Sequence, residues 1–470
     1  MKRVTQAVAA AALSTALISS AVSGTTNAAA AVETPNPGRH TYEGTIDGAK
    51  YKVEVPERWN GTLLLYSHPY YPDGMPEFPP GYGNRVDSEA YFLEQGYALA
   101  ASDFKGRTGF VMKEAVHDQI GVLDWFERHV GKPRRTVATG SSGGGAISLL
   151  LAEKHPSRID GVVAMCAPTD VHGQWNMSLD INFALKTLLA PGADDLELVN
   201  AKDPQGSDLR MQKLLTEQVE TAPGRARIAL ASAFGNVTGW NSAHDPKPES
   251  VEGQIRAQYQ LHMMGAASVF GAVGQADLAA HAGGNPSYNV GVDYARQLAK
   301  SDQLALVRKA YREAGLDLGK DLARLAKAPR ISPDPAATQW MLRYAVPRGT
   351  TPSPVVTLHN TVDLAVADHE RWYAGQVRRH GDTGKLRQLF AARATHCAFS
   401  IAEEAVALET LLTRIDTGRW PSTAPAHLNA KAAALGESWS KVYDFATNSD
   451  AVRPPAFTAY RPNPLLRPSR

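Results

Sequence analysis

The stretch that decides the fold is TVATGSSGGGAISLLLAEK, residues 136–154. It begins with β-branched and small apolar residues, passes through a glycine-rich turn, and continues in a pattern typical of a helix. Ser142 stands at the centre of a G-x-S-x-G pattern between Gly140 and Gly144. This pattern predicts a tight strand–turn–helix connection with the serine hydroxyl at its apex. A phosphate-binding loop is disfavoured, because the turn lacks the lysine and the glycine spacing of such loops.

The surrounding sequence alternates between short apolar strands and helices. The segments are strands at 62–69, 96–104, 136–140 and 159–168, and helices at 84–96, 112–131 and 146–156. Before them, Asp47-Gly48 lies in the middle of an alternating segment, which predicts a hairpin. The alternation predicts an α/β fold, with a mainly parallel sheet covered by helices on both faces.

This alternation stops near residue 170 and resumes near residue 352. We therefore predict an α/β domain formed by residues 40–169 and 352–418, interrupted after its sixth strand by a helical lid insertion at 170–351. An independent middle domain is the weaker interpretation, because both flanks are needed to complete one sheet. Residues 419–470 contain many prolines and are predicted to form a C-terminal strap.

Residues 1–30 have a basic start, an apolar centre and an A-x-A exit, which predict a cleaved signal peptide and a secreted protein without a stable membrane anchor. Lys and Arg total 49 and Asp and Glu total 47, giving a net charge of +2 with no basic run. Nucleic acid is therefore not an expected partner. The chain lacks C-x-x-C, H-E-x-x-H and EF-hand patterns, so neither a metal nor a cofactor is predicted.

A serine hydroxyl becomes a useful nucleophile only when a base removes its proton and a carboxylate orients that base. In an open α/β sheet, such groups collect in loops beyond the carboxyl ends of the strands. Asp363 follows the strand-like segment PVVTLH, and His396 follows the strand-like segment LRQLFAAR. The chain order Ser142, Asp363, His396 is the order found in one particular fold.

At these three positions the chain resembles the α/β-hydrolase superfamily. TGSSGGG is similar to its nucleophile elbow, LHNTVDLAVADHE to its acid loop, and ARATHCAFS to its histidine loop. The resemblance covers about 60–170 and 354–415. It implies that Ser142 is the nucleophile, Asp363 the orienting acid and His396 the base. It also places the insertion where members of this superfamily often carry a lid.

The mechanism implied by this resemblance needs two backbone N–H donors for the developing oxyanion. One is expected from Gly143, directly after the nucleophile. The other is expected from the loop after the strand TLLLYS, where relatives often have His-Gly. This chain has His68-Pro69-Tyr70 there. Because proline has no N–H, Tyr70 is the second candidate.

Several residues have competing interpretations. Asp103 and Asp170 are rival carboxylates, which we interpret as loop or capping residues. His359 and His68 are interpreted as structural histidines. The large apolar residues of the insertion are interpreted as lid core rather than substrate wall; they are Trp175, Met177, Phe183, Trp240, Met263, Met264 and Phe270.

Cys166 and Cys397 are the two cysteines of the chain. An even pair in an exported protein predicts a disulfide. Cys166 ends the strand GVVAMC, and the histidine loop folds over that same edge of the sheet. Some tannases and feruloyl esterases bond a cysteine just before the catalytic serine to one just after the histidine. His396-Cys397 matches half of that pattern, but Ser141 occupies the other position.

These observations predict a secreted serine hydrolase that cleaves carboxylic esters through an acyl-enzyme. A large lid implies an enclosed apolar pocket, so the expected partner is a small-molecule or polymer-linked ester with a bulky, partly aromatic or apolar acyl group. A peptidase or acyltransferase with the same triad remains an alternative, as does a catalytically silent binding protein, because fold does not determine function.

Overall fold

The computed structural model describes residues 32–36, 38–72, 81–363 and 366–469. The predicted signal peptide, residues 1–30, lies outside the described residues. In chain order the described strands are β1 (Val32–Asn36), β2 (Arg39–Ile46), β3 (Ala49–Pro56), β4 (Thr62–Ser67), β5 (Ala98–Ser102), β6 (Arg135–Ser141), β7 (Gly161–Met165), β8 (Val355–Asn360), β9 (Leu386–Ala391), β10 (Lys441–Asp444), β11 (Ser449–Val452) and β12 (Phe457–Thr458).

Ten of these strands form one sheet in the order β1-β2-β3-β5-β4-β6-β7-β8-β9-β12. The strands from β5 to β9 in that order pair in parallel. The edges, β1-β2-β3 and β12, pair antiparallel. Asp47 and Gly48 connect β2 to β3 with positive φ values of 50° and 92°. The predicted hairpin and the predicted mainly parallel sheet are both confirmed.

Fifteen α-helices are described. They are α1 (Val86–Glu94), α2 (Met112–His129), α3 (Gly143–Lys154), α4 (Val171–Leu189), α5 (Pro204–Gln218), α6 (Ala222–Ala233), α7 (Val251–Met264), α8 (Ala272–Ala282), α9 (Tyr294–Lys300), α10 (Leu304–Glu313), α11 (Leu318–Lys327), α12 (Pro335–Tyr344), α13 (His369–His380), α14 (Ile401–Thr417) and α15 (Pro425–Ala433). Among these described helices, none combines the length and apolarity needed to cross a bilayer.

Helices cover both faces of the sheet because successive strand side chains point to opposite sides. On β4, Leu63 and Leu65 join the apolar core under α2, α3 and α13. Leu64, between them, joins the core under α1, α14 and α15. The central parallel strands β4 to β8 are buried on both faces, as expected of a parallel sheet, and their carboxyl ends meet at one edge.

The helices α4 to α12 all lie between β7 and β8, within residues 170–351, which the structure describes in full. A π-helical turn, Gly265–Val269, separates α7 from α8. The strand before these helices is the sixth in the interpretation of the sequence. It is labelled β7 here because Val32–Asn36 adds one strand ahead of the hairpin. The segment has its own apolar core, which includes Phe234 and Leu298.

The C-terminal segment packs against both parts of the chain. Its strand β12 pairs antiparallel with β9 and extends the sheet by one edge strand. Near the end of the chain, the Arg467 guanidinium lies 2.8 Å from the carboxylate of Asp180, which is fully buried in α4. The backbone N–H of Ser469 donates to Asp170 at 2.7 Å. These contacts join the C-terminal segment to the first helix of the insertion.

Candidate active site

Ser142 lies at the junction between β6 and α3. Its φ of 54° and ψ of −125° are unusual for a residue with a side chain, and such strain is typical of functional turns. The backbone N–H of Ser142 donates to the carbonyl of Met165 at 2.9 Å, at the end of the neighbouring strand. The turn therefore projects the serine beyond the carboxyl edge of the sheet.

The glycines of this turn are required by close packing. A Cβ on Gly140 would lie 2.3 Å from the carbonyl oxygen of Gly144, and a Cβ on Gly144 would lie 2.0 Å from the carbonyl oxygen of Ser67. Real Cβ atoms do not approach backbone oxygens so closely. Ser141, by contrast, points into the core, where its hydroxyl lies 2.7 Å from the Tyr66 hydroxyl. The two adjacent serines therefore have different surroundings.

The structure brings His396 and Asp363 together. Nδ1 of His396 lies 2.5 Å from Oδ1 of Asp363, whose side chain is fully buried. The His396 side chain is 19% exposed. An imidazole bonded through Nδ1 to a carboxylate presents Nε2 on its other side, which is the orientation a general base requires.

Buried hydrogen bonds hold the histidine loop. Asn360, the last residue of β8, donates its side-chain amide to the Thr395 carbonyl at 2.7 Å. Arg393 donates to the Glu403 carboxylate at 2.5 Å, and Glu403 completes a capping box with Ser400 at the start of α14. Thr395 has a positive φ of 70°. The loop is therefore fixed on both sides of His396.

The rival carboxylates are engaged elsewhere. Asp170 caps α4 by accepting the Gly173 N–H at 3.0 Å. Asp103 pairs with Arg107 at 3.3 Å. Of these three carboxylates, Asp363 is the one that contacts His396.

The two other histidines named from the sequence are buried. His359 lies 3.3 Å from the Glu370 carboxylate, and burial lowers its pKa to about 4. Nδ1 of His68 donates to the carbonyl of its neighbour Pro69 at 2.7 Å, and burial lowers the pKa of His68 to about 4 as well. Both side chains are therefore neutral at pH 7. His68 also contributes to the cavity described below.

The predicted disulfide between Cys166 and Cys397 is present, with a Cα–Cα distance of 5.3 Å and a sequence separation of 231. Cys166 Sγ lies 3.3 Å from the backbone N of Ser142. Both sulfurs lie within 4.8 Å of a ring nitrogen of His396. Because the sulfurs are bonded to each other, they are not thiolates that could bind a metal ion. The disulfide instead links the residue after β7, which contacts the serine turn, to the histidine loop.

Gly143 and Tyr70 lie side by side next to Ser142. A Cβ built on Gly143 would lie 3.2 Å from the backbone N of Tyr70. Gly143 is the first residue of α3, and the first N–H groups of a helix have no acceptor within the helix. The two positions expected to supply oxyanion donors are thus adjacent in space. The Tyr70 hydroxyl donates to Asp277 of α8 at 3.0 Å.

Ser142 and His396 open into a cavity of about 460 Å³. One wall comes from core loops, where the His68 ring stacks between Tyr71 and Phe104 at centroid distances of 4.6 and 4.1 Å. Phe445, from the turn between β10 and β11, also lines the cavity and is 48% exposed. The cavity is thus mainly aromatic and aliphatic.

The opposite wall comes from the insertion. Trp175 of α4 is its centre, and its ring meets those of Phe110 and Phe270 edge-on at 5.9 and 5.0 Å. Trp175, Met264 and Phe270 therefore line the cavity, which differs from their interpretation as lid core. Met177 and Phe183 do lie in the core of the insertion. The sequence carried no signal to separate the two groups, because all have the composition of a helix interior.

The chain is similar to several known proteins. Residues 80–187 match a family described as the alpha/beta hydrolase fold. The chain is 30% identical over 429 residues to an o-phthalyl amidase from Xanthobacter agilis, covering 83% of this chain and 90% of that protein. Similar solved structures include a tannin acyl hydrolase from Aspergillus niger, with a TM-score of 0.39, 12% identity and coverage of 93% and 89% of the two chains. Feruloyl esterase B from Aspergillus oryzae has a TM-score of 0.35, 13% identity and coverage of 82% and 81%.

Proposed function

The chain belongs to the alpha/beta-hydrolase family, and we propose that it is a serine hydrolase that removes an aromatic acyl group from a carboxylic ester. The proposal rests on one observation. Ser142 and His396, which is hydrogen-bonded to Asp363, line the same cavity, and the walls of that cavity are mainly aromatic. An aromatic acyl group fits such walls because aromatic rings prefer edge-to-face and offset-stacked neighbours. The substrate is a small molecule or an ester linked to a polymer.

In the proposed mechanism, Asp363 holds the Nδ1 proton of His396, so Nε2 accepts the proton of Ser142 as its Oγ attacks the carbonyl carbon. The tetrahedral oxyanion is stabilised by the backbone N–H groups of Gly143 and Tyr70. His396 then returns its proton to the leaving alkoxide, the carbon–oxygen bond breaks, and the acyl group remains on Ser142. Water, deprotonated by His396, then attacks the acyl-enzyme. The bond from the acyl carbon to Ser142 Oγ breaks, His396 returns its proton to Oγ, and the carboxylic acid is released.

A second candidate is hydrolysis of the corresponding amide, which the similarity to an o-phthalyl amidase favours. The steps are the same, but His396 must protonate an amine as it leaves. A matched pair of substrates with the same benzoyl group, one a p-nitrophenyl ester and one a p-nitroanilide, separates the candidates. The 2-carboxybenzoyl anilide then tests whether the chain shares the phthalyl preference in the relative's name.

We also propose that the enzyme acts outside the cell. The signal-like residues 1–30 and the disulfide, a bond that persists in oxidising compartments, support this proposal. Fractionation of the native host, with detection of the processed chain in the medium, tests it directly.

The serine assignment is tested by labelling with a fluorophosphonate, which reacts with an activated serine. We expect a stoichiometric adduct on the peptide that contains Ser142, and loss of turnover on the order of 10⁵–10⁶-fold in Ser142→Ala. Ser141→Ala is the matched control, since Ser141 is 2% exposed and faces Tyr66. Labelling that survives Ser142→Ala but not Ser141→Ala would require a different nucleophile.

A further inference from the structure

We infer that Asp277, on α8 of the insertion, is a positioning residue for the oxyanion hole. Its Oδ2 accepts a 3.0 Å hydrogen bond from the Tyr70 hydroxyl. Tyr70 is the residue whose backbone N lies beside Gly143. The insertion thus holds the hydroxyl group of a tyrosine whose backbone N–H is the proposed oxyanion donor. The inference rests on the proposed function and adds a residue to its machinery.

The Asp277 carboxylate is itself fixed. Its side chain is 12% exposed, and His281, one helical turn later, lies 3.4 Å from Oδ1. A Cβ on Gly109 would lie 2.5 Å from that same oxygen, and Gly109 has a φ of +87°. The backbone N–H of Gly109 donates to the Tyr71 carbonyl at 2.8 Å. Asp277 therefore packs on a core loop that is bonded to the residue after Tyr70.

The helix that carries Asp277 is anchored at its start and on its inner face. The carboxylate of Asp208 accepts the backbone N–H groups of Ala272 and Val273 at 2.6 and 3.0 Å. Leu278, next to Asp277, is fully buried in the core shared with the sheet. A site group held by a rigid element in this way is better positioned than one held by a loop alone.

The Tyr70 side chain adds contacts with the insertion to a loop that the core already holds through the bond of His68 to the Pro69 carbonyl at 2.7 Å. Pro69 has no N–H with which to anchor the chain. The Tyr70 ring meets Trp175 edge-on at 6.2 Å, and its hydroxyl meets Asp277. These two contacts with the insertion orient the residue. Small displacements of catalytic groups are costly, since about 1 Å of misplacement can lower a rate by about 10²-fold.

The test compares Tyr70→Phe, which keeps the backbone N–H and the ring, with Asp277→Ala. Each is expected to lower kcat by about tenfold with little change in KM, and to weaken inhibition by phenylboronic acid by a similar factor. Phenylboronic acid forms a tetrahedral adduct with the serine and places an oxygen in the oxyanion hole. The double variant is expected to match either single variant, because both remove the same contact.

Tyr259→Phe is the matched control. It also deletes a tyrosine hydroxyl hydrogen bond in the insertion, to Thr216 at 3.0 Å, but at an exposed position between α5 and α7. We expect it to retain wild-type kcat and wild-type phenylboronic acid inhibition. A melting curve accompanies each variant. If Asp277→Ala does not fold, Tyr70→Phe carries the test, since it leaves α8 unchanged.

The outcomes separate this inference from the proposed function. If the fluorophosphonate fails to label Ser142 in the wild-type protein, the proposed function is wrong. If Ser142 is labelled normally but Tyr70→Phe and Asp277→Ala keep kcat and phenylboronic acid inhibition within about twofold of wild type, only the positioning role of Asp277 is wrong. Additive losses in the double variant would also overturn it, since they would show two independent contributions.

Discussion

At the carboxyl edge of the sheet, the proposed catalytic side chains are held by backbone geometry, whereas the insertion contributes side chains held by packing. Ser142 has a φ of 54°, and Thr395 and Cys397 on either side of His396 have φ values of 70° and 53°. On the insertion side, Trp175 lies on a regular helix and is buried among rings. In the proposed function, the carboxyl edge performs the chemistry and the insertion selects the acyl group.

The difference has an energetic basis. Strained turns persist only when surrounding hydrogen bonds and packing fix them, so they resist sequence change. Helical walls tolerate exchange of one apolar side chain for another of similar volume. The carboxyl edge of the sheet, called the core edge below, is therefore expected to keep its reaction when apolar wall residues of the insertion are exchanged, while the acyl preference changes with those residues.

The sharpest test of this division replaces Asp363, the proposed orienting acid of the core edge. Asp363→Asn is expected to lower kcat/KM by about 10⁴-fold, because an amide can hold the wrong tautomer of His396. The fold should be unaffected, since asparagine has the same shape. The measurement is steady-state hydrolysis of a benzoyl ester, with a melting curve as the folding control.

Asp170→Asn is the companion variant. Asp170 is a buried carboxylate that caps α4 and binds Ser469, so its loss is expected to lower the melting temperature more than the rate per folded molecule. If Asp170→Asn abolished turnover while Asp363→Asn remained active, the acid would have to be reassigned.

Much of the core edge could be predicted from the sequence because its residues lie at strand ends. The parallel alternation places the loops after β6, β8 and β9 at one edge, so Ser142, Asp363 and His396 are brought together by topology alone. The disulfide followed from the same reasoning, since Cys166 directly follows β7. Short-range patterns were sufficient there.

The cavity walls could not be predicted in the same way. Trp175 and Met177 lie on one helix and are both buried, yet Trp175 faces the cavity and Met177 the core of the insertion. Which side each faces depends on how α4 packs between α6 and the core loop at Phe110, and these contacts join residues distant in sequence. The bond from Tyr70 to Asp277 spans 207 positions and carries no local signal.

The disulfide tests whether the core edge depends on a covalent link. Replacing both cysteines by alanine is expected to lower the free energy of unfolding, with a chain-entropy estimate on the order of 5 kcal/mol for a loop of 231 residues. Turnover is expected to fall by about tenfold at temperatures where the variant is still folded, because Cys397 follows His396 and Cys166 contacts Ser142.

Reduction of the wild-type protein provides the matching experiment without mutation. Activity and near-ultraviolet circular dichroism are followed together during titration with a reductant. We expect activity to fall first. If the two signals fall in parallel, the disulfide contributes only to stability and not to the placement of the histidine.

The smallest expected effect concerns the insertion as a lid. Filling the cavity bridges its two walls, and a ligand that binds the folded state reduces local opening of the elements it contacts. Gly265 and Val269 belong to the π-helical turn and line the cavity, and such turns often occur at functional sites. Phosphonylation of Ser142 should therefore slow amide hydrogen exchange in this turn and in α8 by a few-fold.

Peptides from α14, which lies on the far face of the sheet, serve as the internal control. The Ser142→Ala protein treated with the same phosphonate controls for non-covalent binding. Equal protection of the π-helical turn with and without the adduct would mean that the insertion is a fixed wall, and the acyl preference would then be set by its shape alone.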